Sequence, residues 1–332
     1  MNTNQVTVRL NDEISFQADI SSSILQAAIK SGITLEHSCL SGRCQSCKAK
    51  LNSGETELMR PELGLGDQEM RNSFILTCSR KALSDLDITV ESYIYGVLET
   101  PRTFPAKVNS IIQHSEDLIE LGLRLPPTVN FKFEPGQYVN IIRGSIKRSY
   151  SIANLGQDGM LLFYIRRYQS GEMSEYFFSD MKENDLLRLE GPFGTFFYRE
   201  SNIKNLIFMA TGTGIAPVSS ILQYLDENPD LVIRRNVYLF WGNREESDVF
   251  WVPDFQNIDV KYFQCFSRLS EESTVTYSGY VQEVLLRQSI ELTDSEIYAC
   301  GSVEMIDDAL SQFILKGGNR RNFKSDAFLI SK

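Results

Sequence analysis

Cys39, Cys44 and Cys47 fall within nine residues, in HSCLSGRCQSC, and Cys78 follows thirty residues later in FILTCS. The arrangement C-x4-C-x2-C…C is one by which four thiolates hold a two-iron two-sulfur cluster, so the chemistry it predicts is one-electron transfer. A loop that supplies three ligands must bend tightly, and Ser41, Gly42 and Ser46 permit that. They also leave backbone N–H groups to point at sulfur, where such hydrogen bonds help set the reduction potential. Zinc is the competing reading, because C-x2-C is its commonest half-site. Zinc ribbons pair two such knuckles, whereas here the second half has one cysteine. Six cysteines in 332 residues are sparse for a disulfide framework.

A second group of residues could hold anions. The chain carries a net charge of −10, yet Arg143, Lys147, Arg148, Arg166 and Arg167 are concentrated in one stretch. In Arg148-Ser149-Tyr150-Ser151, period-two alternation puts Arg148 and Tyr150 on one face of a strand and Ser151 on the other. A guanidinium pairs with phosphate, and an aromatic ring stacks on a flat heterocycle. Gly171-Glu172-Met173-Ser174 precedes a helical run, EYFFSDM, and so offers free N–H groups to phosphate. The alternative is a solvated basic edge around a buried tyrosine.

The third group is Thr211-Gly212-Thr213-Gly214-Ile215-Ala216-Pro217, directly after an apolar strand, with Cys300-Gly301-Ser302 after another. Glycines at a strand-to-helix turn let a pyrophosphate approach the backbone, and in open parallel sheets ligands bind outside the carboxyl ends of strands. A tight turn alone would look the same, since the third glycine of the dinucleotide fingerprint is missing.

Three segments position these groups. VTVRL and ISFQA alternate around Asn11-Asp12-Glu13 as a hairpin. ILQAAIK follows as a helix, with Ser23 and Gln26 as a capping box and Gly32 at its end. With the cysteine loop and the strand LDITVES, these make a compact domain over residues 1–94. Tyr95 to Pro105 reads as linker. Residues 102–200 hold AKVNSI, LIELGLRL, QYVNIIR, RSYSIA, MLLFYIRR and LLRLEGP, short strands that suggest a small antiparallel barrel. Over 203–332, strands LIFMA, VYLFW, VKYFQCF and EIYAC alternate with helices from Ala216, near 280–289 and near 303–315. That alternation implies a parallel sheet covered on both faces.

The totals exclude several classes. A sequence pI near 4.9 is a poor match for nucleic acid or an anionic membrane. No apolar run reaches the length of a membrane span, and MNTNQVTVRL lacks the charged and apolar regions of a signal peptide. A cytoplasmic protein is therefore expected. Two histidines, His37 and His114, make a catalytic triad improbable, and Cys265 reads as a core residue.

RSYS, GEMS, TGTGIAP and CGS, in that order, resemble the ferredoxin–NADP reductase superfamily, and the cysteine motif points to its iron–sulfur flavoprotein reductase branch. LRLPPT, PGQYVNI, EGPFGTFFYRE and the SDAF tail are similar to the reductases of 3,6-dideoxyhexose biosynthesis. The resemblance implies a plant-type ferredoxin domain of β-grasp fold, a flavin-binding barrel and a nicotinamide-binding α/β domain. It implies FAD and NADH as cofactors beside the cluster. Arg148 would bind the flavin pyrophosphate, Tyr150 would lie against the isoalloxazine and Ser151 would reach its N5 edge. Gly171, Met173 and Ser174 would hold phosphate. Thr211, Gly212, Thr213 and Gly214 would line the dinucleotide path. Cys300 and Gly301 would stand by the reacting ring carbon, and Phe328 would cover the flavin until nicotinamide displaces it. The implied acceptor is an iron–sulfur, pyridoxamine-phosphate dehydratase of CDP-4-keto-6-deoxyglucose, or alternatively an oxygenase component. Ser267-Arg268 resembles a 2′-phosphate grip, while neighbouring Glu271 and Glu272 would repel that phosphate. The family's usual glycine after the second cysteine is replaced by Gln45, from which a shifted potential is expected.

Overall fold

The computed structural model describes residues 5–96, 98–169, 171–268 and 277–328. The chain divides into two compact units, Met1–Thr100 and Pro101–Lys332.

In the first unit, β1 (Gln5–Leu10) and β2 (Ile14–Asp19) form the expected hairpin. Its turn places Asn11 (φ 54°) and Asp12 (φ 57°) in the left-handed region, which these two residue types tolerate best after glycine. Asn11 then reaches across the unit. Its amide donates to the Val90 carbonyl at 3.1 Å and accepts from the Val90 N–H at 2.8 Å. Helix α1 (Ile24–Lys30) starts at the predicted capping box, with the Gln26 N–H donating to Ser23 Oγ at 3.2 Å and the Ser23 N–H to Gln26 Oε1 at 3.1 Å. Its Ile24, Leu25, Ala27 and Ala28 are buried.

The remaining elements of this unit are β3 (Ile33–Leu35), β4 (Lys48–Ser53), β5 (Thr56–Leu58), α2 (Asp67–Arg71), β6 (Phe74–Leu76), β7 (Arg80–Ala82), β8 (Leu86–Thr89) and β9 (Tyr93–Tyr95). The main sheet has the order β2-β1-β8-β4-β6, with β1 and β8 parallel. The helix laid on this mixed sheet gives the β-grasp arrangement. Leu10, Ile24, Leu76 and Ile88 are fully buried between them, each contributing about 1.5–3 kcal/mol of transfer free energy. The segment read as linker differs. Tyr93–Tyr95 pairs antiparallel with Ile33–Leu35, and the next strand already contains Pro105.

The second unit opens with β10 (Arg102–Ser115), β11 (Leu118–Arg124), β12 (Tyr138–Arg143), β13 (Ile146–Ser151), β14 (Met160–Arg166) and, after the short α3 (Glu172–Glu175), β15 (Leu186–Phe193). These strands pair antiparallel in the order β13-β12-β15-β10-β11-β14. The sheet curls until its ends meet, where the Ala153 N–H donates to the Leu162 carbonyl at 2.9 Å. Inward alternation of Val108, Leu121, Leu123, Ile141, Phe163 and Leu189 fills the interior.

The second part of this unit holds β16 (Asn205–Thr211), α4 (Ile215–Glu227), β17 (Asn236–Asn243), β18 (Val260–Phe266), α5 (Val281–Arg287), β19 (Ser295–Gly301), α6 (Val303–Leu315) and β20 (Phe323–Ala327). The sheet is parallel throughout, ordered β18-β17-β16-β19-β20. Its central strand LIFMA is buried along its length, as a strand covered on both faces requires.

Barrel and sheet are tied in two places. On one side α4 meets the chain after β13. Ser219 Oγ donates to the Ala153 carbonyl at 2.8 Å, Gln223 Nε2 to the same carbonyl at 3.1 Å, and Ser220 Oγ to that of Asn154 at 2.9 Å. On the other, a buried ion cluster holds the connection after the barrel. Glu296 pairs with Lys324 at 2.6 Å and Arg235 at 2.9 Å, and accepts from Ser201 Oγ at 2.9 Å. The Arg199 N–H donates to Tyr298 Oη at 3.0 Å beside it.

Burial pushes the Glu296 carboxyl up, but Lys324 and Arg235 outweigh burial and hold it below the ordinary carboxylate range. A depressed carboxyl contributes stability above its unfolded pKa of about 4.3 and loses it as pH falls through the folded value. Glu296→Gln leaves two buried cations without their anion, so at pH 7 this unit should lose about 3 kcal/mol. Both tryptophans, Trp241 and Trp251, lie in this unit, so urea unfolding followed by their fluorescence reads the loss. The gap between variant and parent should narrow as pH is lowered below the carboxylate range; a gap independent of pH would contradict the ion-cluster account.

Because the units have separate cores, damage to one should spare the other. Cys44→Ser is expected to remove the iron–sulfur absorbance and one-electron transfer to a protein, while NADH still bleaches the flavin. Loss of flavin from that variant under mild conditions would contradict this independence.

Candidate functional site

The cysteine loop is strung between β3 and β4, and Cys78 follows β6. Thr77 docks the two segments, its N–H and hydroxyl both donating to the Cys47 carbonyl, at 3.0 and 3.1 Å. The loop bends through left-handed Leu40 (φ 53°), Gly42 (φ 77°) and Gln45 (φ 60°). Gly42 is required twice over, since a Cβ there would also lie 2.3 Å from the Pro61 carbonyl oxygen. N–H groups do point at sulfur, from Cys39 to Cys44 Sγ and from Ser41 to Cys39 Sγ, each at 3.4 Å.

Among the described residues the thiols do not close into a single metal-binding group; they associate as two pairs. The hydrogen bond from Cys44 holds the Cys39 thiol down, to about 4, and that bond together with burial pushes Cys44 up. In the same way the bond with Cys47 lowers Cys78 to about 7 and raises Cys47. Two thiol pairs suit two irons with two thiolates each, and suit one tetrahedral zinc less well. An all-sulfur donor set with N–H groups on the sulfurs fits a 2Fe–2S cluster.

The basic stretch of the barrel is less available than its composition suggests. Arg166 pairs with Asp117 at 2.7 Å, Arg167 with Glu175 at 2.9 Å, and Lys147 with Glu190. Arg143 stacks on the Tyr176 ring at 4.1 Å. Of the five, Arg148 and Arg143 make no ion pair among the described residues, so the anion site narrows to them. Arg148 and Tyr150 are half-buried on one face of β13 while Ser151 is buried on the other, as alternation predicts. The Tyr150 ring meets Phe177 edge-on at 5.6 Å, and burial pushes its phenol up, so it stays neutral. Gly171 begins the short helix, where Met173 and Ser174 are buried and Ser174 Oγ accepts the Tyr168 N–H at 2.7 Å. A half-buried ring beside an arginine without a carboxylate partner fits a flavin and its pyrophosphate.

At the carboxyl edge of the parallel sheet, Ala210 pairs with Cys300, which brings Thr211, Gly212, Thr213 and Gly214 beside Cys300 and Gly301. Gly214 sits so close that a Cβ would lie 2.3 Å from the Cys300 carbonyl oxygen. That close approach is why glycine, and not only a turn residue, occupies this place. Cys300 is fully buried, and burial together with Asp326 pushes its thiol far up, so it is neutral and no nucleophile. Phe328 is anchored by its N–H to the Gly301 carbonyl at 2.8 Å.

Sequence reasoning passed over three residues here. Asp326, buried on β20, pairs in register with Cys300. Trp241 is fully buried, and its indole N–H donates to the Gly212 carbonyl at 2.9 Å, fixing the glycine turn from below. Exposed Arg244 lies beside exposed Ser267 and Arg268, its carbonyl accepting the Arg268 N–H at 2.8 Å. The SDAF tail and the rarity of tryptophan were the available signals for the first two. Glu271 and Glu272 lie outside the described residues. His37 Nδ1 donates to the Leu35 carbonyl at 2.9 Å, His114 meets Glu120 at 3.4 Å, and Cys265 is buried, all structural roles.

Family models match along the chain: a 2Fe-2S iron-sulfur cluster binding domain over 8–83, an oxidoreductase FAD-binding domain over 105–198 and an oxidoreductase NAD-binding domain over 208–311. The chain is 38% identical to CDP-6-deoxy-L-threo-D-glycero-4-hexulose-3-dehydrase reductase of Yersinia pestis, over 96% of this chain and 97% of that one. It is 36% identical to protein RfbI of Salmonella typhimurium, over 96% and 94%. The toluate 1,2-dioxygenase electron transfer component of Pseudomonas putida is 29% identical over 99% of both chains. Among solved structures, the ferredoxin reductase in carbazole 1,9a-dioxygenase superposes with a TM-score of 0.69 at 27% identity, covering 98% of each chain. The Amycolatopsis cytochrome P450 reductase, with a TM-score of 0.75 at 22% identity over 97% and 98%, shares the fold. With its 2Fe–2S, FAD and NAD-binding domains in one chain, this protein belongs to the iron–sulfur flavoprotein reductases of the ferredoxin–NADP reductase superfamily, an NAD(P)H-dependent oxidoreductase family that includes the dehydrase reductases it matches end to end.

Proposed function

We propose that this protein is a CDP-6-deoxy-Δ-3,4-glucoseen reductase, a cytoplasmic enzyme that passes electrons from NADH to a pyridoxamine-phosphate, iron–sulfur dehydratase of CDP-4-keto-6-deoxyglucose. The observation that carries this reading is full-length identity of 38% with the Yersinia dehydrase reductase, against 29% with the toluate dioxygenase component. Among the described residues no helix is long and apolar enough to cross a membrane. Bound FAD would take electrons in pairs from NADH and release them singly to the cluster. The chain's own residues supply place and polarity. Cys39, Cys44, Cys47 and Cys78 would hold the cluster, and Arg148, Tyr150, Ser151 and the Gly171–Ser174 backbone the flavin. Thr211 to Gly214 would receive the dinucleotide with its nicotinamide end at Cys300 and Gly301. The neutral Cys300 thiol offers that ring a soft, uncharged neighbour, and Phe328 shields the same edge.

The electron exit is expected at the cysteine loop. That loop is less open than the sequence suggests: Ser41 is exposed, Gly42 is buried and its neighbours are half-buried. The Gly64 N–H donates to the Gly42 carbonyl at 2.8 Å, so the strap from Met59 to Gly64 lies over the loop. Its outward side carries Leu63 at 67% exposure and Met59 at 42%, next to Leu58 at 51%. An acceptor docking on this mainly apolar ground should depend only modestly on salt.

The test combines this protein, NADH, an active dehydratase and CDP-4-keto-6-deoxyglucose, with mass spectrometry for the 3-deoxygenated CDP-sugar. Product is expected; no product, together with efficient coupling to an oxygenase component, would favour the oxygenase reading. NADH should have the larger kcat/KM of the two coenzymes, in line with the acidic Glu271 and Glu272 that follow Arg268 in the sequence. Arg268→Ala should lower the rate with NADPH several-fold and leave that with NADH nearly unchanged, as expected when one guanidinium serves only a 2′-phosphate. A parent enzyme faster with NADPH would overturn the assignment.

A further inference from the structure

Gln45 stands where the family usually has glycine, and it keeps the left-handed backbone that glycine would adopt freely. The side chain that costs this strain has a specific partner. Gln45 Oε1 accepts from Lys48 Nζ at 3.0 Å, and Lys48 Nζ pairs with Glu69 Oε1 at 2.7 Å. Glu69 is itself fixed, its other oxygen accepting the Gly66 N–H at 3.0 Å at the start of α2. The ammonium also stands 5.5 Å from the Phe74 ring centre. Side-chain exposures of 22% for Lys48 and 30% for Glu69 mean the pair is only partly screened by water. Lys48 follows Cys47 directly, and Gln45 lies between Cys44 and Cys47, so this pair of charges is clamped to the cluster loop itself.

We infer that Gln45, Lys48 and Glu69 form a brace whose balanced charges set the reduction potential of the cluster, with Gln45 as the residue that positions the ammonium. The brace acts on the cluster through Cys44 and Cys47, taken as its ligands in the function proposed above. Reduction adds one negative charge to the cluster, so a nearby cation favours the reduced state and an anion opposes it. Removing Lys48 leaves Glu69 uncompensated and lowers the potential. Removing the charge of Glu69 leaves Lys48 uncompensated and raises it.

The opposite signs separate this role from a merely structural one, because loosening the loop would move both variants the same way. Spectroelectrochemical titration of the purified holoprotein, following the reduced-cluster EPR signal, measures the midpoint potential. Lys48→Met should shift it negative and Glu69→Gln positive. Lys48→Arg, which keeps the charge, should restore the parent value. Gln45→Met, which frees the ammonium from the loop, should give a smaller negative shift. Shifts of the same sign in Lys48→Met and Glu69→Gln, or none in either, would overturn the inference. Absence of any cluster signal in the parent protein would instead overturn the ligand assignment.

Discussion

Three hydrogen bonds from one face of α4 to two carbonyls decide where the flavin and nicotinamide halves of the second unit stand. Ser219 and Gln223 donate to Ala153 and Ser220 to Asn154, one and two residues past Ile152, which follows the strand bearing Arg148, Tyr150 and Ser151. The same helix begins at the glycine turn whose Gly214 touches the Cys300 carbonyl. A single rigid rod therefore links the residues proposed for flavin to those proposed for nicotinamide. Ser219 and Ser220 are fully buried, so losing the Ser220 bond would take from the Asn154 carbonyl the donor that α4 supplies, while the Ala153 carbonyl has two donors, Ser219 and Gln223. Reactive geometry needs this kind of over-determination, since a small misplacement between donor and acceptor is costly in rate.

The first unit solves a different problem. Four thiols, three from a half-buried loop and Cys78 from beyond β6, repel one another as they ionise, and in the chain alone they share protons in two pairs. Backbone N–H groups aimed at sulfur and three left-handed residues hold this arrangement open. Strain is thus stored in the segment that must accept a metal cluster, and sheet and helix are what over-determine it.

Legibility in the sequence followed the range of the interactions. Cysteine spacing, the Ser23–Gln26 capping box and the glycine turn were readable because each is defined within a few residues. The barrel and sheet strands were readable because alternation and continuous apolar runs are local as well. What failed was long-range. Tyr95 was read as the start of a linker, whereas it ends the three-residue strand Tyr93–Tyr95, too short to show a period, whose partner lies some sixty positions earlier at Ile33–Leu35. The basic stretch was overread because Asp117, Glu175 and Glu190, which neutralise it, come from a turn, the short helix α3 and β15. Glu296 and Asp326 carry no local signal of their surroundings, and both are buried.

Buried charge links these cases. Glu296 has two cations, and its neighbour Tyr298 lies between the connection after the barrel and the sheet. Lys324, one of the two, sits on β20, the strand that also presents Asp326 to Cys300 and leads into Phe328. The ion cluster at the amino end of β19 and the edge proposed for nicotinamide at its carboxyl end are therefore spanned by the same two strands. A carboxylate with no chemistry of its own fixes the register in which Asp326 and Phe328 arrive. In an enzyme whose cofactors perform the reaction, positioning of this kind is the protein's part, and residues far from the reacting atoms carry much of it.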